Sequence, residues 1–352
     1  MANFSKLSVK RKKTRYPTVK IKTRGVKTRR IIKKSTKKMG VVKGGGRSKG
    51  IVKTSLLQVV ENYGKSGYNI HKQNDIFDRE LNATSPDQIN DDLNEDGDFK
   101  TTLMYAIENE NVTIEMIEKL LEKGADRNKK TLHNNISPIQ YAVLCSNEEK
   151  ALARVKALYK TDVSGVFYDI SVNNIGRGVS PALIIAAEKG YSKIVNYLLE
   201  RGAKVNIIAQ NTEKENTALT AAAEKGHIDI VNALLEKNSQ SAYINYIRSG
   251  DDNSALMLAA QNGHLEIVRA LLEKGAKINQ YENSNTYYTA LMLAAEKGHL
   301  EIVKYLLEKG AKINKKGDID YAATEEIKEL LRNPPHVDVI PPPPVPPPDQ
   351  DL

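Results

Sequence analysis

Three histidines, His227, His264 and His299, each directly follow a glycine, and they recur at intervals of 37 and 35 residues. Evenly spaced imidazoles are the raw material of a metal ladder, provided several ring nitrogens can come within roughly 2 Å of one ion. Cys145 is the only thiol. It allows no intrachain disulfide, no Cys-x-x-Cys redox pair and no cysteine-rich zinc site, and it fits a reducing compartment. As a nucleophile it would need a base beside it, and no histidine or acidic residue recurs with it. The stretch from Gly44 to Gly50 has a phosphate-loop gap between Gly45 and Gly50. Ile51 and Val52 follow, however, where such a loop needs lysine and then Ser or Thr to reach phosphate and magnesium. No Ser-His-Asp set or catalytic carboxylate pair is visible. The sequence therefore predicts neither an enzyme nor a cofactor.

The histidines belong to a larger pattern. Thr289 to Asn314 reads TALMLAAEKGHLEIVKYLLEKGAKIN, and Ser254 to Asn279 reads SALMLAAQNGHLEIVRALLEKGAKIN. Further copies begin at Thr217 (TALTAAAEKGHIDIVNALLEKN) and Pro181 (PALIIAAEKGYSKIVNYLLERGAKVN). Within a copy, Ala290, Leu291, Ala294 and Ala295 share one side of a short helix that Gly298 breaks. Ile302, Val303, Leu306 and Leu307 then form the apolar stripe of a second helix. Gly310 stands where a left-handed residue ends that helix, and Asn238 fills the same slot in the Thr217 copy. The distance from the opening slot to this closing slot is 21 residues in all four copies, whereas the repeat-to-repeat steps are 36, 37 and 35. All variation thus falls in the connectors. Neither helix can bury its face alone, so the copies must stack. Stacked helices stand about 8–10 Å apart, which is too far for one histidine per copy to share an ion, and a structural role is expected.

This unit resembles the ankyrin repeat, with its T-P-L-H-x-A opening and 33-residue period. Ser137-Pro138-Ile139-Gln140-Tyr141-Ala142 is the nearest match to that opening. The resemblance implies an all-α solenoid of helix-turn-helix repeats with β-hairpin fingers, working by protein–protein recognition. It also implies that the Gly-His step makes local backbone hydrogen bonds. Most copies lack the proline and histidine of the opening motif, and Met257 and Met292 substitute packing for those bonds. A first repeat opens at Thr101 and closes at Gly124. A second opens at Ser137 with Asp162 in its closing slot, and Cys145 is expected as a packed thiol late on its inner helix. About six repeats and a short C-terminal cap make up residues 99–333, with Ile327, Leu330 and Leu331 as the cap's apolar residues. Residues 55–98 are expected to add one or two helices that cap the first repeat.

Charge divides the chain sharply. Residues 1–60 hold 20 Lys and Arg and no Asp or Glu, leaving 33 basic against 43 acidic residues in the rest. Residues 1–54 are predicted to be a disordered basic arm. Lys10, Arg11, Lys12, Lys13, Arg29, Arg30, Lys33, Lys34, Lys37 and Lys38 are its candidate polyanion contacts, whether to nucleic acid, an import receptor or anionic lipid; a solubilising tail is the plainer reading. Residues 334–352 form a proline-rich tail. Pro341, Pro342, Pro343, Pro344, Pro346, Pro347 and Pro348 favour polyproline II, which suits an SH3, WW, EVH1 or profilin-type partner or a bare spacer. No apolar run spans a bilayer and no Sec-type leader is visible, so an intracellular place is expected, cytoplasmic or nuclear, in its own cell or a host's. The remaining candidates lie in the fingers. Tyr243, Tyr246 and Arg248 in one, and Tyr281, Tyr287 and Tyr288 in the next, are residue types that carry interface energy. The inner-helix pairs Glu188-Lys189, Glu224-Lys225, Gln261-Asn262 and Glu296-Lys297 are nearly uniform, and are expected to be solvated surface that discriminates little between partners.

Overall fold

Each repeat opens on a residue able to start a helix. Thr217, Ser254 and Thr289 lie in extended backbone, and their side-chain oxygens accept the amides of Thr220, Met257 and Met292. That bond satisfies one of the donors every helix start leaves unpaired. Pro181 holds the same place without a side-chain acceptor. At the other end, Gly275 and Gly310 follow the outer helices with φ of +89° and +86°. There the amides of Ala276 and Ala311 fold back onto the Leu271 and Leu306 carbonyls, both at 2.9 Å.

A computed structural model describes residues 55–65, 70–90, 100–160, 173–174, 178–210, 212, 214–237, 241–280, 288–313 and 319–334. The chain divides into two units, 1–50 and 51–352, and every described residue belongs to the second. The described residues form 17 helices. In chain order they begin with α1 Ser55–Asn62, α2 Ile70–Ala83, α3 Pro86–Ile89, α4 Thr102–Glu108, α5 Ile114–Glu122 and α6 Pro138–Leu144. Next come α7 Glu148–Tyr159, α8 Ala182–Lys189, α9 Ser192–Glu200, α10 Ala218–Lys225, α11 Ile228–Lys237 and α12 Ser241–Ile244. The last are α13 Ala255–Gln261, α14 Leu265–Glu273, α15 Ala290–Lys297, α16 Leu300–Glu308 and α17 Glu325–Arg332.

These helices stack in two layers. The inner helices α4, α6, α8, α10, α13 and α15 pack each on the next, while α5, α7, α9, α11, α14 and α16 form the outer row. Small residues make the inner contacts: Ala222, Ala259, Ala260, Ala294 and Ala295 are fully buried. The outer helices turn an Ile-Val-Leu stripe inward, and Ile302, Val303, Leu306 and Leu307 are all buried. Each such side chain contributes roughly 1.5–3 kcal/mol when fully removed from water, and that burial exists only because a neighbouring repeat covers it.

The ends follow the same logic. The segment expected to hold one or two helices holds three, α1 to α3, with α1 packed on both α2 and α4. Asn109 donates from Nδ2 to the carbonyls of Val60 (2.8 Å) and Tyr63 (3.2 Å), tying α1 to the first repeat. In the irregular second repeat, buried Arg154 donates to the carbonyls of Ile107, Asn109 and Val112, satisfying the end of α4 and the turn after it. At the far end, the Ala323 amide bonds the Ala295 carbonyl at 2.9 Å, and Ile327 and Leu331 of α17 are buried while Leu330 is half-buried. Asn238 and Asp162, assigned to closing slots, lie outside the described residues. The hairpin expected in each finger is reduced, among the described residues, to one antiparallel bridge between Ile247 and Ser254.

A ladder of asparagines runs along the finger bases. Asn90, Asn173, Asn245 and Asn279 each accept, on Oδ1, the backbone amide of a residue in the next repeat: Asp126, Lys204, Lys277 and Lys312, at 2.7–2.8 Å. Cross-repeat bonds of this kind set the register between copies, where helix packing alone would let them slide.

Candidate functional site

The finger between α11 and α13 is held by an arginine. Arg248 is 1% exposed. Its Nε donates to Asp251 Oδ1 at 2.6 Å, with Nη2 on the other carboxylate oxygen. Its Nη1 donates to Glu224 Oε2 at 2.6 Å and to Asn216 Oδ1 at 2.8 Å. Glu224 also takes Lys214 Nζ at 2.7 Å. The planar guanidinium makes four hydrogen bonds to these three residues, one more than the three N–H groups of an ammonium allow. Burial alone would raise the Glu224 carboxyl, but the hydrogen bonds from Lys214 and Arg248 outweigh it and hold the pKa low. Asp251 behaves alike: burial opposes, and the Arg248 hydrogen bond wins.

Arg248 was expected at the contact surface, and its burial corrects that expectation: it positions the finger and offers nothing to solvent. Tyr243 is corrected on the same ground. It is 5% exposed inside α12, and burial pushes its phenol far above the ordinary value. Glu224 is likewise not plain solvated surface, because it closes the clasp on Arg248. Tyr246 is half-buried, its hydroxyl donating to the Glu215 carbonyl at 3.1 Å. Tyr288 remains 47% exposed. Tyr281, Tyr287, the basic residues from Lys10 to Lys38 and the prolines from Pro341 to Pro348 lie outside the described residues.

Beside the clamp is an open groove of about 350 Å³ lined by Asp251, Asp252, Asn253, Gln261, Tyr288, Leu293 and Glu296. Asp251 is committed to Arg248, and Glu296 meets Lys297 at 3.1 Å. Asp252 has no ion-pair partner among the described residues. An aromatic face, a leucine and an unpaired carboxylate suit a donor-bearing side chain with an apolar stem.

The histidines have a different task from any metal. His227 Nε2 lies 3.3 Å from the Glu188 carbonyl, His264 Nε2 3.3 Å from that of Glu224, and His299 Nε2 3.0 Å from that of Gln261. The local backbone bonds expected of the Gly-His step are present, from the His227, His264 and His299 amides to the Ala222, Ala259 and Ala294 carbonyls at 2.9–3.0 Å, and the rings add bonds that cross to the preceding repeat. Tyr191, in the histidine slot of the Pro181 copy, does the same with its hydroxyl on the Cys145 carbonyl at 2.9 Å. The sequence hinted at this only in the shared position after glycine. Cys145 itself is buried at the end of α6, and burial pushes its thiol up, away from a nucleophilic thiolate. Met257 does more than pack, since its sulfur accepts the Ser254 amide at 3.4 Å.

Two layers of short helices, several of them ended by glycine and joined by fingers, define a stacked helical repeat scaffold. The family model described as ankyrin repeats (3 copies) matches residues 103–209, 151–246, 183–282 and 238–317. These overlapping matches reach across more than half of the chain, and the chain belongs to the ankyrin-repeat family. No curated protein matches it. As a member of this family the chain is a protein–protein interaction module. No helix among the described residues is long and apolar enough to cross a membrane.

Proposed function

We propose that the chain is a non-enzymatic adaptor whose fingers after the Thr217 and Ser254 repeats read a protein partner, while the basic arm holds a polyanion. The observation that carries the first part is the groove itself. Tyr288 stands exposed over it, and the neighbouring finger is fixed by Arg248, so little ordering is left for binding to impose. Tyr246 and Tyr288, with Tyr281 and Tyr287 of the same fingers, are the contact residues; Tyr243 and Arg248 support them from below. An Arg or Lys side chain of the partner fits between Tyr288 and Asp252, where the ring face and the carboxylate both favour a cation.

The test is capture of partners by the full chain, with nuclease present, followed by single substitutions. Tyr288→Ala and Asp252→Arg should each weaken capture about tenfold or more, as loss of an interface anchor does. Lys189→Glu and Lys225→Glu on the inner helices should have little effect. Unchanged capture by both finger variants, with loss by the inner-helix reversals, would assign the reading to the inner helices instead. A nucleic-acid-associated regulatory factor and a cytoskeletal tether acting through the proline tail are the competing readings. Partners released by nuclease, or by deletion of residues 334–352, would favour one or the other.

A further inference from the structure

Along the outer row of helices lies a larger open groove of about 560 Å³. It is lined by α5, α7 and α9, and includes Lys156, Tyr159, Lys160, Tyr197 and Arg201. Tyr159 and Tyr197 meet edge to face, with centroids 5.6 Å apart and planes at 74°. The exposed Arg201 guanidinium sits over both rings, 5.4 Å from one centroid and 5.0 Å from the other. Lys156 Nζ lies 5.9 Å from the Tyr197 centroid. Lys160 is occupied by Glu118 at 2.8 Å. Arg201 and Lys156 have no carboxylate at ion-pair distance among the described residues.

A guanidinium stacked on aromatic rings keeps its donor edge outward and has already lost much of its rotamer freedom, so it can take a carboxylate at low entropic cost. The ring faces are occupied by cations, which argues against nucleobases, since these bind by stacking on free faces. The surroundings also disfavour a long polyanion, because Glu118 lines the groove itself and Glu122 and Glu200 are close enough to act on Lys160 and Tyr197. We propose that this outer-face groove docks a short acidic peptide segment of a partner protein, with Arg201 as the carboxylate receptor and Lys156 beside it. The site goes beyond the finger reading and does not depend on it.

The probe is a synthetic peptide, Gly-Ser-Glu-Glu-Ser-Gly, titrated into the full chain while the ring signals of Tyr159 and Tyr197 are followed by NMR. Those signals report the groove and not the basic arm. A saturable shift is expected, about tenfold weaker for the glutamine version of the peptide and about tenfold weaker in Arg201→Ala, as loss of a charge-assisted pair implies. Arg201→Lys should recover only part, and Tyr288→Ala should change nothing. Equal affinities for wild type and Arg201→Ala would overturn the proposal, whether or not that variant melts earlier. So would an oligothymidine that shifts the rings as strongly as the peptide, or no shift at all. Failure of the finger variants to affect partner capture would leave this result untouched.

Discussion

At Gly226 two demands coincide. Its φ is +83°, and an added Cβ would lie 2.6 Å from the His264 ring, which covers it in order to reach the Glu224 carbonyl. Gly275 shares the first demand, with φ of +89°, but nothing lies within 4 Å of its absent side chain. Gly275→Ala should therefore cost only the left-handed strain, about 1–2 kcal/mol. Gly226→Ala should add the displaced histidine and its hydrogen bond, for roughly 2–4 kcal/mol in all. Urea unfolding of the two variants checks this, and equal losses would contradict the account. Both glycines were legible from their slots, because backbone handedness leaves a sequence signature. The histidine's partner was not. A carbonyl 40 residues away in sequence has no letter of its own, and Tyr191 in the same slot reaches back by a different atom.

The elements were legible where the period holds and obscure where it breaks. Helix pairs from α8 to α16 follow from small residues on one helix and an aliphatic stripe on the next. The finger carrying Arg248 has no period, and its acceptors Glu224 and Asn216 come from 24 and 32 residues earlier, so an arginine in a connector read as exposed. This clamp makes a pH prediction. Glu224 and Asp251 both have folded pKa values below their ordinary 4.5 and 3.8. The unfolded chain thus takes up protons first as the pH falls. The clamp's contribution is fully present above about pH 4.5 and is lost as pH drops through the folded values. Arg248→Met should leave the half-buried Glu224 with Lys214 alone and strip the more exposed Asp251 of its cation, destabilising by about 2–4 kcal/mol at neutral pH. Below pH 4 the gap between variant and wild type should narrow. A gap that stays constant from pH 7 to pH 3 in thermal melts would show that the ion pairs are not its source.

For the whole molecule, the sequence separates two charges that a single net value of +10 conceals. Outside the basic arm the acidic surplus lies at the two flanks of the repeats: residues 103–317, which the family assignment covers, hold 27 Lys and Arg against 25 Asp and Glu. Residues 1–54 carry 20 positive charges with no negative one, and their role rests on composition. Such a segment gains affinity for nucleic acid by releasing condensed counterions, so binding must weaken steeply with salt. If six to ten phosphates are neutralised, log K against log salt should fall with a slope of about −5 to −9 on duplex DNA. Affinity should then drop roughly 10³–10⁵-fold between 50 and 200 mM salt. Filter binding by the full chain and by residues 55–352 separates the two parts. The shorter chain, with its acidic surplus, should bind weakly and with a shallow slope. Replacing Lys10, Arg11, Lys12 and Lys13 by Ser in the full chain should lower the slope by about 3–4, one phosphate contact per residue. Equal slopes for the full and shortened chains would remove the arm from nucleic-acid binding. A steep slope on anionic vesicles with none on DNA would move its target to a lipid surface.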